Sequence, residues 1–364
     1  MEAKEMLRRS SPQTCPGINK FVRPTPEFIK CAFCGAEVEI WSDEESAVCQ
    51  NCGKTVKRGQ EEVSCLEYCP YAEKCKELLA SMKKEAQQKE DEAVAVVRVG
   101  KIECKTLMGR SGIEDVDYAI NPYLGCQHAC VYCYARFMGR RGHLGEPWGS
   151  FVDVKTNALE RLAEELPRRK RGVVLLSSVT DPYQPLEKSW QLTRGALEQL
   201  LEYDFPVNVQ TKSTLVLRDL DLLQRFSDCE VGFTVTMLDD DVRRIFEPEA
   251  SPIAERLEAL RAIDKAGIRT FAFLGPMLPY LSDRNLEELL VELASAGIDR
   301  ILVDRLNIKA GNWPPIRRAV ERNFQDLLPL FTSALPEGSK YYEELRLKVS
   351  NLAQRLGLPT YFCY

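Results

Sequence analysis

The chain has 364 residues, a formal net charge of -5 and 45% hydrophobic residues, a length that predicts one large domain and a smaller one. It holds 14 cysteines but only 2 histidines, which excludes zinc enzymes built on three histidines or on a helical HExxH motif. Walker A motifs, GxGxxG motifs and long apolar runs are missing, so the sequence indicates neither a P-loop nucleotidase, nor a Rossmann dehydrogenase, nor a membrane-spanning protein.

Residues 1–10 carry several charges and no continuous apolar stretch, unlike a secretory signal. We therefore expect a cytoplasmic protein with no membrane partner. In a reducing compartment, cysteines at short spacings are better explained by metal binding than by disulfides.

The first motif is a double CxxC pattern, formed by Cys31, Cys34, Cys49 and Cys52. Four thiolates from two tight turns make a closed tetrahedral site for Zn2+, and Gly35 and Gly53, which follow the two pairs, tolerate the positive φ of such turns. Residues 37–41 alternate polar and apolar side chains, as a strand of a zinc ribbon does. A pair of redox-active dithiols is the alternative, but these would lie at the start of a helix rather than in hairpin-like sequence.

The other cysteines near the amino terminus are Cys15, Cys65, Cys69 and Cys75. They form either a second metal site or buried free thiols, and their uneven spacing does not choose between the two. We place a cysteine-rich zinc-ribbon domain at residues 1–77. Residues 78–104 are predicted to form a charged linker followed by an arm, and residues 105–364 form the large domain.

The large domain alternates short β-branched runs with longer helical patterns, which is typical of βα units and a parallel sheet. We predict six strands, at Tyr118–Pro122, Val173–Ser177, Pro206–Thr211, Val231–Thr236, Arg269–Leu274 and Arg300–Asp304. The intervening helices show apolar residues three to four apart, as at Leu257, Leu260 and Ile263. These elements fit a curved, incomplete barrel, and a flat doubly wound sheet would use the same ones.

A third cysteine cluster follows the first predicted strand, where Cys126, Cys130 and Cys133 lie within eight residues. Three thiolates do not enclose a zinc ion by themselves, but they can hold three irons of a [4Fe-4S] cluster and leave the fourth iron open to a small molecule. The carboxyl end of a parallel strand is where such folds assemble their active sites. The alternatives are a Cys3His zinc site that uses His128, and unligated thiols.

The sequence NPYLGCQHACVYCYAR, from Asn121 to Arg136, resembles the CxxxCxxC signature of the radical S-adenosylmethionine (SAM) enzymes and, among them, the spore photoproduct lyase-like branch. The likeness continues in residues 178–187, 193–194, 211–213 and 218–219, and covers about residues 117–306. It implies a partial (β/α)6 TIM-type barrel beside the zinc ribbon, and an enzyme in which one electron from the cluster cleaves SAM to a 5′-deoxyadenosyl radical. A reductant such as ferredoxin or flavodoxin would supply that electron.

The resemblance also implies roles for individual residues. Cys126, Cys130 and Cys133 match the cluster ligands. Thr180, Lys212 and Thr234 match positions that contact SAM, and a cation and hydroxyls suit its carboxylate and ribose. Tyr132 would lie near the adenine, and Tyr132 and Tyr134 match the tyrosines of the lyase's relay, which makes them the candidate catalytic residues.

One position departs from the lyase. Ser178 stands where that enzyme has a hydrogen-donating cysteine, and an alcohol is a far poorer hydrogen-atom donor than a thiol, so we do not expect repair of thymine dimers. The substrate stays open between a nucleic acid and a protein, either of which the zinc ribbon would dock. Basic residues that follow the cluster and could contact phosphate are Arg136, Arg140, Arg141 and His143. A non-catalytic zinc-binding adaptor is the third alternative.

Overall fold

The computed structural model of the protein describes residues 26–41, 46–49, 52, 54–57, 97–140, 142–143, 145–308, 311–336 and 339–364. The chain divides into two compact units. The first contains the double CxxC segment and Phe137–Pro147, and the second contains Ala95–Arg136, Trp148–Leu335 and Ser339–Tyr364. Gly53, most of the linker and the cysteines at positions 15, 65, 69 and 75 lie outside the described residues, so the second metal site and the domain boundaries stay predictions.

The double CxxC segment folds as two short hairpins. Strand β1 (Pro26–Lys30) pairs antiparallel with β2 (Glu37–Trp41), and β3 (Ser46–Val48) pairs antiparallel with β4 (Thr55–Lys57). The alternation that predicted β2 places Val38 and Ile40 in a small core with Val56 and the cysteines. So few buried apolar side chains are typical of a small domain that depends on a metal for its stability.

The second unit contains most of the regular structure. Its strands are β5 (Arg98–Ile102), β6 (Met108–Arg110), β7 (Tyr118–Ile120), β8 (Tyr123–Leu124), β9 (Phe151–Lys155), β10 (Val174–Leu176), β11 (Val207–Thr211), β12 (Cys229–Thr234), β13 (Arg269–Met277), β14 (Arg300–Arg305) and β15 (Thr360–Phe362). Its α-helices are α1 (Ala158–Glu165), α2 (Glu187–Trp190), α3 (Leu192–Glu202), α4 (Leu220–Leu223), α5 (Asp240–Phe246), α6 (Ile253–Lys265), α7 (Leu286–Ser295), α8 (Trp313–Asn323), α9 (Leu328–Ser333) and α10 (Lys340–Arg355). Within the described ranges, none of the helices is long and apolar enough to cross a membrane.

The six predicted strands are β7 and β10 to β14, and they lie side by side in chain order with every pair parallel. A doubly wound sheet reverses its strand order at a switch point, whereas this sheet does not. The arrangement is therefore the partial barrel that the sequence favoured. Strand β15 extends it in parallel at one edge, and β6 extends it antiparallel at the other.

The two faces of the large sheet differ in chemistry because successive strand residues point to opposite sides. Along β11, Val207 and Val209 pack into the main core, which also holds the apolar faces of helices such as α6. On the other face, the Asn208 side chain donates to Glu230 at 3.0 Å, and Gln210 donates to Thr234 at 3.3 Å. This polar face leads to the carboxyl ends of the strands, where the cysteine cluster lies.

Candidate active site

The three-cysteine loop begins directly after β8 and ends at a 3-10 helix, Tyr134–Arg140. Cys126 and Cys130 are each 7% exposed, and Cys133 is half-buried. The loop turns tightly, since the backbone N–H of Cys133 donates to the carbonyl of Cys130 at 3.2 Å. The fold thus brings all three predicted ligands to one loop at the carboxyl end of β7.

Their sulfurs are not arranged for a single ion. Among the described residues, one set of cysteine, histidine and carboxylate groups has its ligand atoms close enough together to bind a single ion. That set lies in the double CxxC segment. A cluster with several irons needs wider spacing between the cysteines than one zinc ion does. The donor set and its spacing therefore fit an iron-sulfur cluster better than the Cys3His zinc alternative.

His128 is engaged elsewhere. It is 2% exposed, its Nδ1 lies 3.0 Å from the carbonyl oxygen of Glu249, and its Nε2 lies 3.3 Å from Oδ2 of Asp181. Both ring nitrogens therefore face groups other than the cysteine sulfurs, and among the described residues His128 belongs to no set of ligand atoms close enough to hold one ion. Its contacts instead tie the cysteine loop to two other loops of the barrel.

Asp181, which follows β10, is the point where several loops meet. Its carboxylate accepts hydrogen bonds from the Thr211 hydroxyl at 2.6 Å and from the backbone N–H groups of Tyr183 and Lys212 at 2.9 Å each. Burial opposes its charge, but His128, the charge of Lys212 and the Thr211 hydroxyl hold the pKa of Asp181 well below its usual range. The carboxylate therefore contributes stability that is present above pH 3.8, its pKa in an unfolded chain, and is lost as the pH falls below it.

A second buried carboxylate, Glu247, follows α5 and contacts the loop from another side. It accepts a hydrogen bond from the Tyr132 hydroxyl and pairs with Arg256, and both charged groups are fully buried. Burial opposes the charge of Glu247, yet Arg256 and Lys212 lower its pKa. Arg256 is fixed in turn by the carbonyl oxygens of Ser251 and Thr234, each at 2.8 Å.

The predicted SAM-contacting residues lie at the ends of three neighbouring strands. Lys212 follows β11, and its ammonium is 3.4 Å from the hydroxyl of Thr234 at the end of β12. Burial lowers the pKa of Lys212, but Cys130, Glu247 and Asp181 outweigh it and raise the pKa, so the ammonium stays charged. The Thr180 hydroxyl, after β10, is buried and has no hydrogen-bond partner among the described residues. A buried hydroxyl without a partner, at the same end of the sheet as a charged ammonium, is suited to bind a polar ligand.

The two candidate catalytic tyrosines have opposite environments. Tyr132 is 6% exposed, whereas Tyr134 is 47% exposed. Burial and the charge of Glu247 raise the pKa of Tyr132. The Tyr134 hydroxyl donates to the backbone carbonyl of Ser178, the position that departs from the lyase, and the Ser178 hydroxyl accepts from Asn121 at 3.1 Å. Tyr134 and Ser178 are therefore neighbours, while Tyr132 faces the Glu247 side.

The other motif residues of the resemblance form a separate buried ion network. Glu187 pairs with Arg218 at 2.9 Å, and Asp219 accepts from Arg218 at 2.7 Å and from Arg194 at 2.9 Å. The Tyr123 hydroxyl also donates to Glu187. These residues hold α2 and the start of α3 against the 3-10 helix, Thr214–Asp219, that follows β11.

The basic group after the cluster receives little support as a phosphate site. His143 is 4% exposed, and its Nδ1 lies 3.4 Å from Glu146. Arg141 and the side chain of Arg140 lie outside the described residues, and Arg136 is half-buried and has interaction partners.

The double CxxC residues meet in a site of their own. Cys31 and Cys34 follow β1, Cys49 follows β3, and Cys52 precedes β4, and their four sulfurs all lie within 4.8 Å of one another. Two of these distances are 3.5 and 3.6 Å, near the roughly 3.8 Å between sulfurs in a tetrahedron with Zn–S bonds of about 2.3 Å. Gly35 has φ +76°, as the turn chemistry predicts. This arrangement can bind a metal, and its donor set is typical of zinc.

Sequence reasoning missed Glu247, which lies far along the chain from the cluster cysteines and follows a helix with no recognisable motif. No local signal in the sequence marks it as part of the site.

We expect Asp181→Asn to destabilise the protein by about 3 kcal/mol, since an amide NH2 would face the Lys212 N–H and His128 would lose its carboxylate. Anaerobic urea unfolding of the cluster-loaded protein measures this loss. The matched control is Asp204→Asn, because Asp204 is 49% exposed and its φ of +49° suits asparagine. Equal losses from the two substitutions would contradict the structural role of Asp181.

A parallel-strand partial barrel that carries three cysteines at the carboxyl end of its first parallel strand defines an iron-sulfur enzyme of the TIM-barrel type. Residues 120–302 match the model of the Radical SAM superfamily, and the chain belongs to that superfamily. Membership implies a [4Fe-4S] cluster and SAM, which when bound supply a 5′-deoxyadenosyl radical through one-electron cleavage of SAM. Cys126, Cys130 and Cys133 would hold the cluster.

The chain is also similar to individual proteins and solved structures. An uncharacterized protein of Methanocaldococcus jannaschii is 37% identical over 51% of this chain and 70% of its own length. The radical SAM Nalpha-GlyT isomerase of Pseudomonas phage M6 is 24% identical over 67% of this chain and 52% of its own length. A solved spore photoproduct lyase mutant with bound AdoMet and dinucleoside spore photoproduct has the same fold, with a TM-score of 0.56 and 19% identity over 75% of this chain and 83% of that one.

Proposed function

We propose that this radical SAM enzyme abstracts a hydrogen atom from a nucleic acid or a nucleotide-like substrate. The observation that carries the proposal is the geometry at the barrel mouth. The cysteine loop, the Lys212 ammonium and the unpartnered Thr180 hydroxyl gather at the carboxyl ends of adjacent parallel strands. A cation and hydroxyls beside a cluster are suited to orient SAM, which carries a carboxylate and a ribose.

The choice of a nucleic acid rests on two further observations. The structurally similar lyase was solved with a dinucleoside bound. In this chain, Phe33 lies between two zinc-site cysteines and is 58% exposed, with the Lys54 ammonium 4.4 Å from its ring centroid. An exposed aromatic ring beside a lysine is suited to stack a base and attract a phosphate. The zinc ribbon would then dock the nucleic acid.

Ser178 sets the kind of reaction. With an alcohol at that position and no thiol, a substrate radical would not take a hydrogen atom there, so a rearrangement is favoured over repair of thymine dimers. The relative named as an isomerase is compatible with a rearrangement. We further propose that Tyr134, whose hydroxyl contacts the Ser178 carbonyl, is the catalytic tyrosine nearer to the substrate. The proposed reductant is of the flavodoxin or ferredoxin type. The proposed compartment is the cytoplasm.

A protein substrate docked by the ribbon is the second candidate, since exposed aromatic residues also bind peptides. A non-catalytic adaptor is disfavoured, because the chain belongs to an enzyme superfamily and has enzymes among its relatives.

The test uses the cluster-loaded protein with SAM, a reductant and macromolecules from cells grown in deuterated medium. One reaction receives deuterated nucleic acid with unlabelled protein, and the other receives the reverse. We expect deuterium in 5′-deoxyadenosine only in the first reaction, measured by mass spectrometry, and none with the Cys126→Ala variant. Label in the protein reaction alone would support the second candidate, and label in neither would refute hydrogen abstraction from both.

A further inference from the structure

Arg256, in the first turn of α6, is the largest fully buried side chain among the described residues. Its N–H groups lose contact with water on burial, so its nitrogens need acceptors within the protein. The Nε atom and one Nη atom donate to the carbonyl oxygens of Ser251 and Thr234, each at 2.8 Å. The other Nη atom donates to Glu247. One guanidinium therefore ties the end of β12 to two points in the loop between α5 and α6.

Two of these contacts lead to Lys212, the predicted SAM-binding cation. The Thr234 hydroxyl is 3.4 Å from the Lys212 ammonium, and the Thr234 carbonyl is held by Arg256. The backbone N–H of Ser251 donates to the Lys212 carbonyl at 3.1 Å, and the Ser251 carbonyl is also held by Arg256. Both the backbone and the ammonium of Lys212 are thus one residue away from the same guanidinium.

The third contact leads to the cysteine loop. One carboxylate oxygen of Glu247 pairs with Arg256, and the other accepts from the Tyr132 hydroxyl. Next to Tyr132 in the loop, the backbone N–H of Val131 donates to the carbonyl of Phe246 at 2.9 Å. A carboxylate that is bound at both oxygens is held in one orientation. The cysteine loop and Arg256 are therefore fixed relative to each other.

We propose that Arg256 is a positioning residue for SAM binding, because it fixes the distance between Lys212 and the cysteine loop that would hold the cluster. The inference rests on the proposed function, in which Lys212 contacts SAM. A small molecule bound by the cluster and by Lys212 at once needs these two groups at one set distance, since a misplaced contact contributes little. The three nitrogens of Arg256 are already bound within the protein, so it acts through Lys212 and not by contact with SAM.

The test compares Arg256→Lys with the wild type and with Arg261→Lys, all loaded with the cluster. Lysine keeps the positive charge beside Glu247 but lacks the planar fork that reaches three acceptors at once. Arg261 lies on the same helix, is 27% exposed and serves as the matched control. We expect the dissociation constant of SAM, measured by anaerobic equilibrium dialysis, to rise about tenfold in Arg256→Lys and to stay unchanged in the control. Iron content should be equal in the three proteins.

Loss of stability in Arg256→Lys is separated from loss of positioning by two measurements. If Arg256 were only structural, the variant would unfold at a lower urea concentration but, where fully folded, would bind SAM as tightly as the wild type, and this would overturn the proposal. A double variant with Arg256→Lys and Lys212→Met should bind SAM at most about twofold more weakly than Lys212→Met alone, because Arg256 acts through the missing ammonium. A further loss as large as in the single variant would overturn the proposal as well.

Failure of the proposed function would give a different result. If Lys212→Met alone binds SAM as tightly as the wild type, the proposed SAM site is wrong, and the inference falls with it. If Arg256→Lys takes up no iron, Tyr132→Phe decides instead, since it keeps the ring and removes the hydroxyl that donates to Glu247. Weaker SAM binding by iron-loaded Tyr132→Phe would support the proposal, and unchanged binding would overturn it.

Discussion

Replacing Cys130 with alanine is expected to abolish cluster binding and to reduce formation of 5′-deoxyadenosine to the level of a protein-free blank. Three cysteines leave no spare ligand, so removal of one leaves two protein bonds to a cluster that normally has three. Cys130 is also buried beside Tyr132 in the smaller core of the barrel mouth, where water cannot readily replace the lost sulfur. Iron analysis, visible absorption and product chromatography of anaerobically reconstituted protein measure the effect.

The matched control is Cys363→Ser, since Cys363 is an exposed thiol near the carboxyl end of the chain. It should retain iron and activity at wild-type levels. Zinc content should be unchanged in both variants, because the predicted zinc ligands lie in a different unit. A Cys130→Ala protein that keeps its iron and cleaves SAM would show that the three-cysteine loop is not the cluster site.

The parallel strands were predictable because each is a short apolar, β-branched run between helical patterns. Strands β6, β8, β9 and β15 were not. Strand β9, Phe151–Lys155, contains the strand-forming residues Phe151, Val152 and Val154, but it follows a segment rich in glycine and proline, which obscured it. It is a strand because it pairs with β5 on one side and β8 on the other, and such pairing is set by tertiary structure rather than by propensity.

The site was predictable to the extent that its chemistry is local. The spacing of Cys126, Cys130 and Cys133 predicts the ligand loop, and the position of Lys212 directly after a strand predicts that it lies at the barrel mouth. Glu247 was not predictable, because it follows a helix 115 positions from Tyr132 and only the folded barrel brings its carboxylate to that hydroxyl. The two tyrosines illustrate the same limit. They are two positions apart, yet the start of the 3-10 helix at Tyr134 turns one inward and the other outward, a difference that spacing does not reveal.

Lys212→Met is expected to weaken SAM binding by about ten- to one hundredfold while leaving iron content unchanged. The ammonium is a cation at the strand ends beside the cysteine loop, and a charge-assisted hydrogen bond to a carboxylate contributes about 1.5–3 kcal/mol. Methionine keeps the length and the apolar stem of lysine, so the loss reports the charge rather than the packing. Anaerobic equilibrium dialysis with labelled SAM gives the dissociation constant for the loaded protein.

Removing this charge also leaves Glu247 and Asp181 with one cation fewer, so some loss of stability is expected and has to be separated from the loss of binding. The control Lys188→Met removes an exposed lysine from α2 and should change neither quantity. The decisive comparison is the dissociation constant of SAM for Lys212→Met divided by that for the wild type, measured at a temperature where Lys212→Met and Lys188→Met are both fully folded. If SAM binds Lys212→Met as tightly as the wild type, Lys212 serves only to balance the buried carboxylates, and the SAM carboxylate must be bound by another group at the barrel mouth.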